Sequence, residues 1–243
     1  MERFLLVVLL TFLIPTAEDS YLYKAMLVRA APGRLQEVIT LYKNRMAYYD
    51  AAADERPFLM RHSQGDQWDL MLLFPMGSYS EYYSIERLAK REKADRIGLS
   101  QAEFARILSE RVAWHEENFV IGPPLEQVKK VMTDASFYHI EMFIALAGKH
   151  SELRRQREME NAYLKYLNRP QNLIFTRDQG AAWDLFTIGC YRDIKHFAES
   201  ADIPVKDQEA AARAAGFESV DQIGPYLRTL INSHHDTLAV AVK

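Results

Sequence analysis

The segment Gln64-Gly65-Asp66-Gln67-Trp68-Asp69-Leu70 recurs as Gln179-Gly180-Ala181-Ala182-Trp183-Asp184-Leu185, a shift of 115 residues from Trp68 to Trp183. The same displacement places Tyr23 on Tyr138, Ala30 on Ala145, Gly33 on Gly148, Glu37 on Glu152, and Ala47-Tyr48 on Ala162-Tyr163. A register kept without a gap from about residue 21 to residue 79 makes the folding unit roughly half the chain. Self-similarity of this kind decides architecture before local propensity does. Further on, His115-Glu116-Glu117 meets His234-His235-Asp236 at a shift of 119, so the second copy carries four extra residues between the two matches.

Each copy has the same local pattern. Residues 21–31 are apolar and strand-like, and Gly33 opens a helical stretch to about Ala53. Within it Leu35, Val38, Ile39, Tyr42, Met46 and Tyr49 recur at helical spacing and give one apolar face. Residues 58–62 and 67–74 are two short strand candidates around the Gln64-Gly65-Asp66 turn, a hairpin signal. Pro75 and Gly77 stop the second of them. Residues 79–97 and 101–117 predict helical segments separated by Gly98, and residues 118–121 a short last strand. The second copy repeats the order: strand 137–146, helix 149–167, hairpin strands 172–177 and 182–189, helices within 193–233, strand 236–242. Gly122-Pro123-Pro124 begins the connection, so the repeats are taken as 18–122 and 136–243 with a linker at 123–135.

The order β-α-β-β-α-β is the ferredoxin-like unit, here with an expanded second helical region. One such unit covers one sheet face with helices and leaves the other bare, and two copies can bury their bare faces against each other. The expected class is therefore α+β: two tandem ferredoxin-like units whose sheets pack face to face as a pseudo-twofold α/β barrel. In topology and repeat, residues 21–243 resemble the dimeric α/β-barrel superfamily in a fused, tandem form. Its families include antibiotic-biosynthesis monooxygenases, haem-degrading monooxygenases, chlorite-dismutase-like haem proteins, stress-responsive barrel proteins and the NIPSNAP group. The resemblance implies a small-molecule pocket beside the sheet and a tendency to homo-oligomerise. It does not imply which molecule, because fold does not determine function.

Charge and cysteine content narrow the classes. The net charge of −3 is spread without a basic block, which excludes nucleic acid as an expected partner. The eleven-residue apolar run from Phe4 to Ile14, behind Arg3, is short for a bilayer span and suits the core of a secretory signal. Pro15-Thr16-Ala17 offers a small residue for cleavage, although Glu2 weakens the basic start and Pro15 is poorly placed; the alternative is an uncleaved anchor. Residues 1–17 are thus read as a signal peptide and the protein as exported, periplasmic or secreted, with no stable span after cleavage. Cys190 is the only cysteine, so an intramolecular disulfide and cysteine zinc clusters are excluded and Cys190 is expected to be a small buried hydrophobe. No glycine-rich phosphate loop or serine nucleophile elbow occurs.

Two constellations carry chemistry. The duplicated Trp-Asp pair sits on the third strand of each unit, and its carboxylate on an otherwise apolar face needs a partner. His115 and His234, placed at the end of the last helix, are the candidates. Asp184 with His234 forms either an oriented general base or a structural hydrogen bond, and its duplication is what a scaffold element would show. The second constellation is where the copies differ. Lys24 and Met26 become His139 and Glu141, while Ile39, Tyr42 and Met46 become Arg154, Arg157 and Asn161. If the helix keeps its orientation, these residues line a pocket with two guanidinium forks for an anion. If it rotates, Met159, Ala162, Tyr163, Tyr166 and Leu167 are buried and Arg154 pairs with Glu158 in solvent. The tyrosines Tyr48-Tyr49 and Tyr82-Tyr83 line a pocket or belong to core and interface.

These residues point to a small-molecule-handling protein with its pocket in the second repeat. As an enzyme it would resemble cofactor-independent monooxygenases or isomerases. Asp184 and His234 would move a proton, Trp183 would shape the pocket, and Arg154 and Arg157 would hold an anionic group beside His139, Glu141 and Asn161. The alternative is a non-catalytic ligand-binding or assembly module. No cofactor is expected; a haem protein is a third reading. Haem-degrading members of the resembled superfamily use an Asn on the first strand, a Trp on the third and a His on the following helix, to which only Trp183 and His196 loosely correspond.

Overall fold

A computed structural model of the chain describes residues 20–180 and 183–242. The segment read as a signal peptide, and Ala181-Ala182 of the second motif, lie outside the described residues. The first half comprises β1 (Tyr21–Ala30), α1 (Leu35–Ala51), β2 (Phe58–Gln64), β3 (Leu70–Gly77), α2 (Tyr79–Tyr82), α3 (Ile85–Ala94), α4 (Gln101–Ser109) and β4 (Val112–Gly122). Helix α5 (Leu125–Thr133) follows. The second half comprises β5 (Phe137–Ala145), α6 (His150–Tyr166), β6 (Leu173–Gly180), β7 (Leu185–Tyr191), α7 (Ile194–Ala198), α8 (Val205–Ala214), α9 (Ile223–Arg228) and β8 (Ile231–Ala241). Among the described residues no helix is long and apolar enough to cross a membrane.

The class is α+β. The eight strands pair antiparallel and close into a barrel in the order β1-β3-β2-β8-β5-β7-β6-β4. Each half supplies four strands in the same internal order, β4-β1-β3-β2 and β8-β5-β7-β6. The two sheets meet along their edges, β2 with β8 from Met60↔Ala241 to Gln64↔Leu238, and β4 with β6 from Asn118↔Gly180 to Ile121↔Thr176. Closure leaves no unpaired strand edge. Alternation along the strands then sorts side chains. Tyr23, Ala25 and Leu27 of β1 face the interior core with Tyr138, Ile140 and Met142 of β5, whereas Met26 and Val28 face outward under α1. Cys190 is buried in the interior, as its apolar surroundings predicted, and burial pushes its thiol up to about 12.

Three expectations need correction. Residues 123–135 are not a bare linker: α5 sends Leu125, Val128 and Met132 into the interior core. Pro124 is compatible with the N-terminus of a helix, and the apolar residues that follow have helical spacing. The helix predicted over 101–117 ends at Ser109, and β4 begins at Val112. β8 likewise begins at Ile231 rather than 236. His115 and His234 therefore lie on strands, opposite Val28 of β1 and Phe143 of β5. The outer parts of these strands are polar and exposed, so backbone pairing rather than hydrophobic alternation specifies them.

The repeated motif belongs to the scaffold. Gly65 and Gly180 have φ of +117° and +108°, and each hairpin presses on the last strand of the other half. A β-carbon on Gly65 would lie 2.8 Å from Thr237 Cα, and one on Gly180 would lie 2.8 Å from the Glu117 carbonyl oxygen. Trp68 and Trp183 are buried in the interior. Asp69 Oδ2 accepts the Ala30 backbone N–H at 2.8 Å, and Asp184 Oδ2 accepts that of Ala145 at 2.9 Å.

Candidate functional site

The space between the outer sheet face and the helices differs between the halves. In the first half it is a cavity of about 530 Å³, bounded by β1, β3 and β4 beneath and α1 to α4 above. Arg45, 2% exposed, holds α4 off the sheet: its guanidinium bonds the Leu99 carbonyl and Gln101 Oε1 and stacks 3.4 Å from the Tyr48 ring. The floor is aromatic, with Tyr42 edge-on to Phe104 at 5.5 Å and Tyr49 near Phe74 at 6.3 Å. Burial pushes the phenols of Tyr42 and Tyr49 above the ordinary tyrosine value, so they are neutral near pH 7.

The cavity has two polar ends. At one, Lys24 Nζ pairs with Glu117 Oε1 at 3.3 Å and stands 4.8 Å above the Phe74 ring. Trp114 and His115 line the same side, both exposed, and among the described residues the His115 side chain has no hydrogen-bond or ion-pair partner. At the other, Asp54 receives two guanidiniums, from Arg87 Nε at 2.6 Å and from Arg91 Nε at 2.6 Å and Nη2 at 3.1 Å. Arg91 lies 3.8 Å over the Tyr82 ring. Burial raises the Tyr82 phenol against the pull of Arg91.

In the second half the corresponding space is filled. Helix α6 keeps the orientation of α1 and buries Leu153, Gln156 and Arg157, not the rotated stripe from Met159 to Leu167. Arg157 occupies the place of Tyr42, 3% exposed, with Glu160 at 2.5 Å, Glu141 at 3.4 Å and the Phe143 ring at 4.8 Å. Thr187 Oγ1 donates to Glu141 at 3.0 Å. His139 Nε2 and His234 Nε2 each lie 3.1 Å from an oxygen of Asp236. Burial alone would lower the His139 pKa, but the hydrogen bond to Asp236 with the charges of Glu141, Asp236 and Glu160 outweighs it and raises it. The hydrogen bond from His139 holds Asp236 below its ordinary value, and burial raises Glu160 despite Arg157. A smaller space of about 330 Å³ in this half lies elsewhere, beside Met159, Phe217 and Tyr226.

The predicted residues are thus redistributed. His139, Glu141 and Arg157 do come together, but as an internally paired cluster rather than a pocket wall. Arg154 is exposed, paired with Glu158 at 3.0 Å and with Thr176 Oγ1 at 3.0 Å. Asn161 clasps Asn172, donating to its carbonyl at 2.8 Å and accepting its N–H at 2.7 Å. The proton-transfer pair Asp184–His234 does not form. Asp184 faces Arg177 at 2.5 Å and His150 at 3.5 Å, while β5 stands between the strands on either side. Trp183 packs in the interior against Phe186, ring centroids 5.1 Å apart, and shapes no cavity in the second half. A haem site of the kind weighed above does not fit. Trp183 is inside the barrel, whereas His196 lies outside against Tyr191, with its Nδ1 accepting the Arg192 N–H at 3.2 Å. Among the described residues no His, Cys, Asp and Glu group could hold a metal ion. Of the residues singled out in the sequence, Tyr48, Tyr49, Tyr82 and His115 line the first-half cavity.

No family model matches the chain, and no curated protein is similar to it in sequence. Solved structures do share its fold. A protein from Fusobacterium nucleatum, provisionally described as a monooxygenase, superposes with a TM-score of 0.55 at 9% identity over 93% of each chain. An anthrone oxidase-like protein gives 0.53 at 12% identity, again over 93% of each chain. A provisionally described monooxygenase from Lactobacillus acidophilus gives 0.53 at 9% identity, covering 93% of this chain and 95% of that one. At such identities the likeness is one of architecture: the chain has the α+β barrel fold of these proteins.

Proposed function

We propose that the chain is an exported fusion of two ferredoxin-like units that binds a small, flat organic molecule in the cavity of its first half. The observation that carries this is the asymmetry between the copies. The same space is an aromatic cavity of about 530 Å³ in one half and a set of buried ion pairs in the other. That volume is in the range of small-molecule sites, and aromatic walls with a few polar groups are their usual lining. The second half completes the barrel on which the cavity rests.

The descriptions of the structural neighbours accord with oxidation of a small organic molecule, and this chain has the parts for a cofactor-independent version or for an isomerisation. His115 stands unpaired at the cavity beside the Lys24–Glu117 pair, so an imidazole is available to take a proton from an acidic carbon or phenol. Lys24 is placed to stabilise the anion left behind. Dioxygen would then oxidise that anion, or its reprotonation at another atom would isomerise the molecule. The deciding experiment is mass spectrometry of small molecules carried by the native protein, followed by turnover of whatever is found. His115→Ala is expected to abolish turnover while leaving binding intact. Unchanged turnover would remove the proton-transfer role. Binding without any turnover would favour a ligand-binding module.

A further inference from the structure

We infer that the molecule bound in the first-half cavity is an aromatic monocarboxylate, with its carboxylate seated on the outer edge of the Arg91 guanidinium. This rests on the cavity reading above and adds the charge and the anchoring group of the ligand. Around the cavity the other cations have near neighbours of opposite charge. Lys24 faces Glu117 at 3.3 Å, and Arg45, behind Tyr48, has Asp95 at 3.8 Å and two oxygen acceptors. Asp54 alone serves two guanidiniums, Arg87 and Arg91, and its side chain is only 7% exposed. Within ion-pair distance, then, two guanidiniums share one carboxylate, and a ligand carboxylate would balance the second.

The other half shows that the scaffold does not require this excess. Ala53 and Asn168, related by the repeat, both have φ of +53° and turn the chain after the first helix of their unit. The next residue is Asp54 in one copy and Arg169 in the other, and each fastens the helices that follow. Arg169 does so with one close carboxylate, Glu199 at 2.6 Å, and two backbone carbonyls. Arg192 reaches Glu199 only at 3.7 Å and is 70% exposed. A single guanidinium–carboxylate pair, its Glu199 side half exposed, therefore suffices for fastening there, and the second guanidinium on Asp54 is surplus to it.

The donors that remain fit a planar two-oxygen group. Arg91 spends Nε and one Nη2 hydrogen on Asp54 and one Nη1 hydrogen on the Tyr82 carbonyl, which leaves one hydrogen on each terminal nitrogen. With the Tyr82 carbonyl on the Cδ side of Nη1, these two hydrogens would share the terminal guanidinium edge and match a carboxylate. Gln101, also lining the cavity, accepts from Arg45 on its Oε1 and can offer its amide N–H groups to a carboxylate. A dianion such as phosphate would need a second uncommitted cation there. The aromatic floor of Phe74, Tyr49 and Phe104 suits a flat ring system attached to that carboxylate.

Calorimetric titration of the full chain with 2-naphthoate and with 2-naphthol, neutral at pH 7, tests this. The expected result is naphthoate binding at least about tenfold tighter than naphthol, the scale of one charge-assisted hydrogen-bond pair. Arg91→Gln should remove that preference and leave naphthol affinity unchanged, with Arg91→Lys between the two. Retained naphthol binding shows that a variant is folded. Should Arg91→Gln not fold, the wild type decides, since naphthoate affinity must fall with added salt while naphthol affinity does not. Equal binding of the two probes, or a parallel loss of both in a folded variant, overturns the carboxylate assignment and leaves the cavity reading standing. Failure of both probes to bind overturns the two together.

Discussion

Gly33, Gly65 and Gly180 all have positive φ, but for different reasons. Nothing lies within 4 Å of a β-carbon built on Gly33, so Gly33→Ala pays only for the left-handed backbone, about 1–2 kcal/mol. At Gly65 the same atom would meet the backbone of Asp236 and Thr237, and backbone within a closed barrel cannot swing aside as a side-chain tip can. Gly65→Ala is therefore expected to cost more than about 3 kcal/mol and to lower the Tm well beyond the shift caused by Gly33→Ala. Equal shifts in thermal unfolding would show that the hairpin does not lock the halves together. The repeated Gly, Trp and Asp were the plainest pattern in the sequence because both halves need them for the same packing. Of the residues proposed to face the ligand, His115 was visible only through its match with His234, which pointed to an aspartate partner, and nothing in the local sequence of Arg91 distinguishes it from a surface charge.

Helices α1 and α6 show how far elements are readable. Their existence followed from spacing and from Gly33 and Gly148, and the structure places both where the repeat implied. What filled the space beneath them did not follow. Tyr42→Arg157 and Met26→Glu141 look like a pocket opening on paper, yet the two polar groups find each other and close it. The reverse error concerned the outer ends of β4 and β8, whose polar residues read as helix because their strand character comes from the neighbouring β1 and β5 backbones. The filled cluster has its own titration. The His139 pKa is raised on folding, so its pairing with Asp236 stabilises the fold below the ordinary imidazole value and is lost as pH rises through the folded value. Asp236 is lowered, so its share is present above the ordinary carboxylate value and is lost as pH falls through the folded one. Glu160 is raised by burial and, like His139, favours the acidic side. Wild-type Tm should therefore decline from pH 6 to pH 8 more than that of His139→Gln. The difference should be modest because Asp236 is half exposed and screened. Parallel pH profiles would show that this pair contributes nothing.

The halves share the largest of three buried clusters, and this sets how the molecule unfolds. The interior cluster draws Tyr23, Met71 and Leu73 from the first half, Tyr138, Phe175 and Phe186 from the second, and Leu125, Val128 and Met132 from the helix between them. Tyr23 and Phe175 meet edge to face at 5.4 Å across the barrel. Outside it, Tyr79 donates to Asp178 at 2.7 Å and Lys129 reaches Glu55 at 2.9 Å, each joining elements that a two-domain reading would separate. Opening either seam would expose both unpaired strand edges and the interior face of each sheet, leaving each half only its outer cluster, around Tyr42 and Leu70 in the first and Phe143 and Leu153 in the second. The repeat predicts two units, and the shared interior cluster couples them. Calorimetric unfolding is accordingly expected as a single transition with equal calorimetric and van't Hoff enthalpies. A van't Hoff enthalpy near half the calorimetric value, or two resolved transitions, would mean that each half keeps its structure after the seams part. The cavity ligand should then raise that single Tm as a whole, since binding to the native state stabilises everything that unfolds with it. If the ligand raised one transition and left a second unmoved, the first half would be folding independently of the barrel.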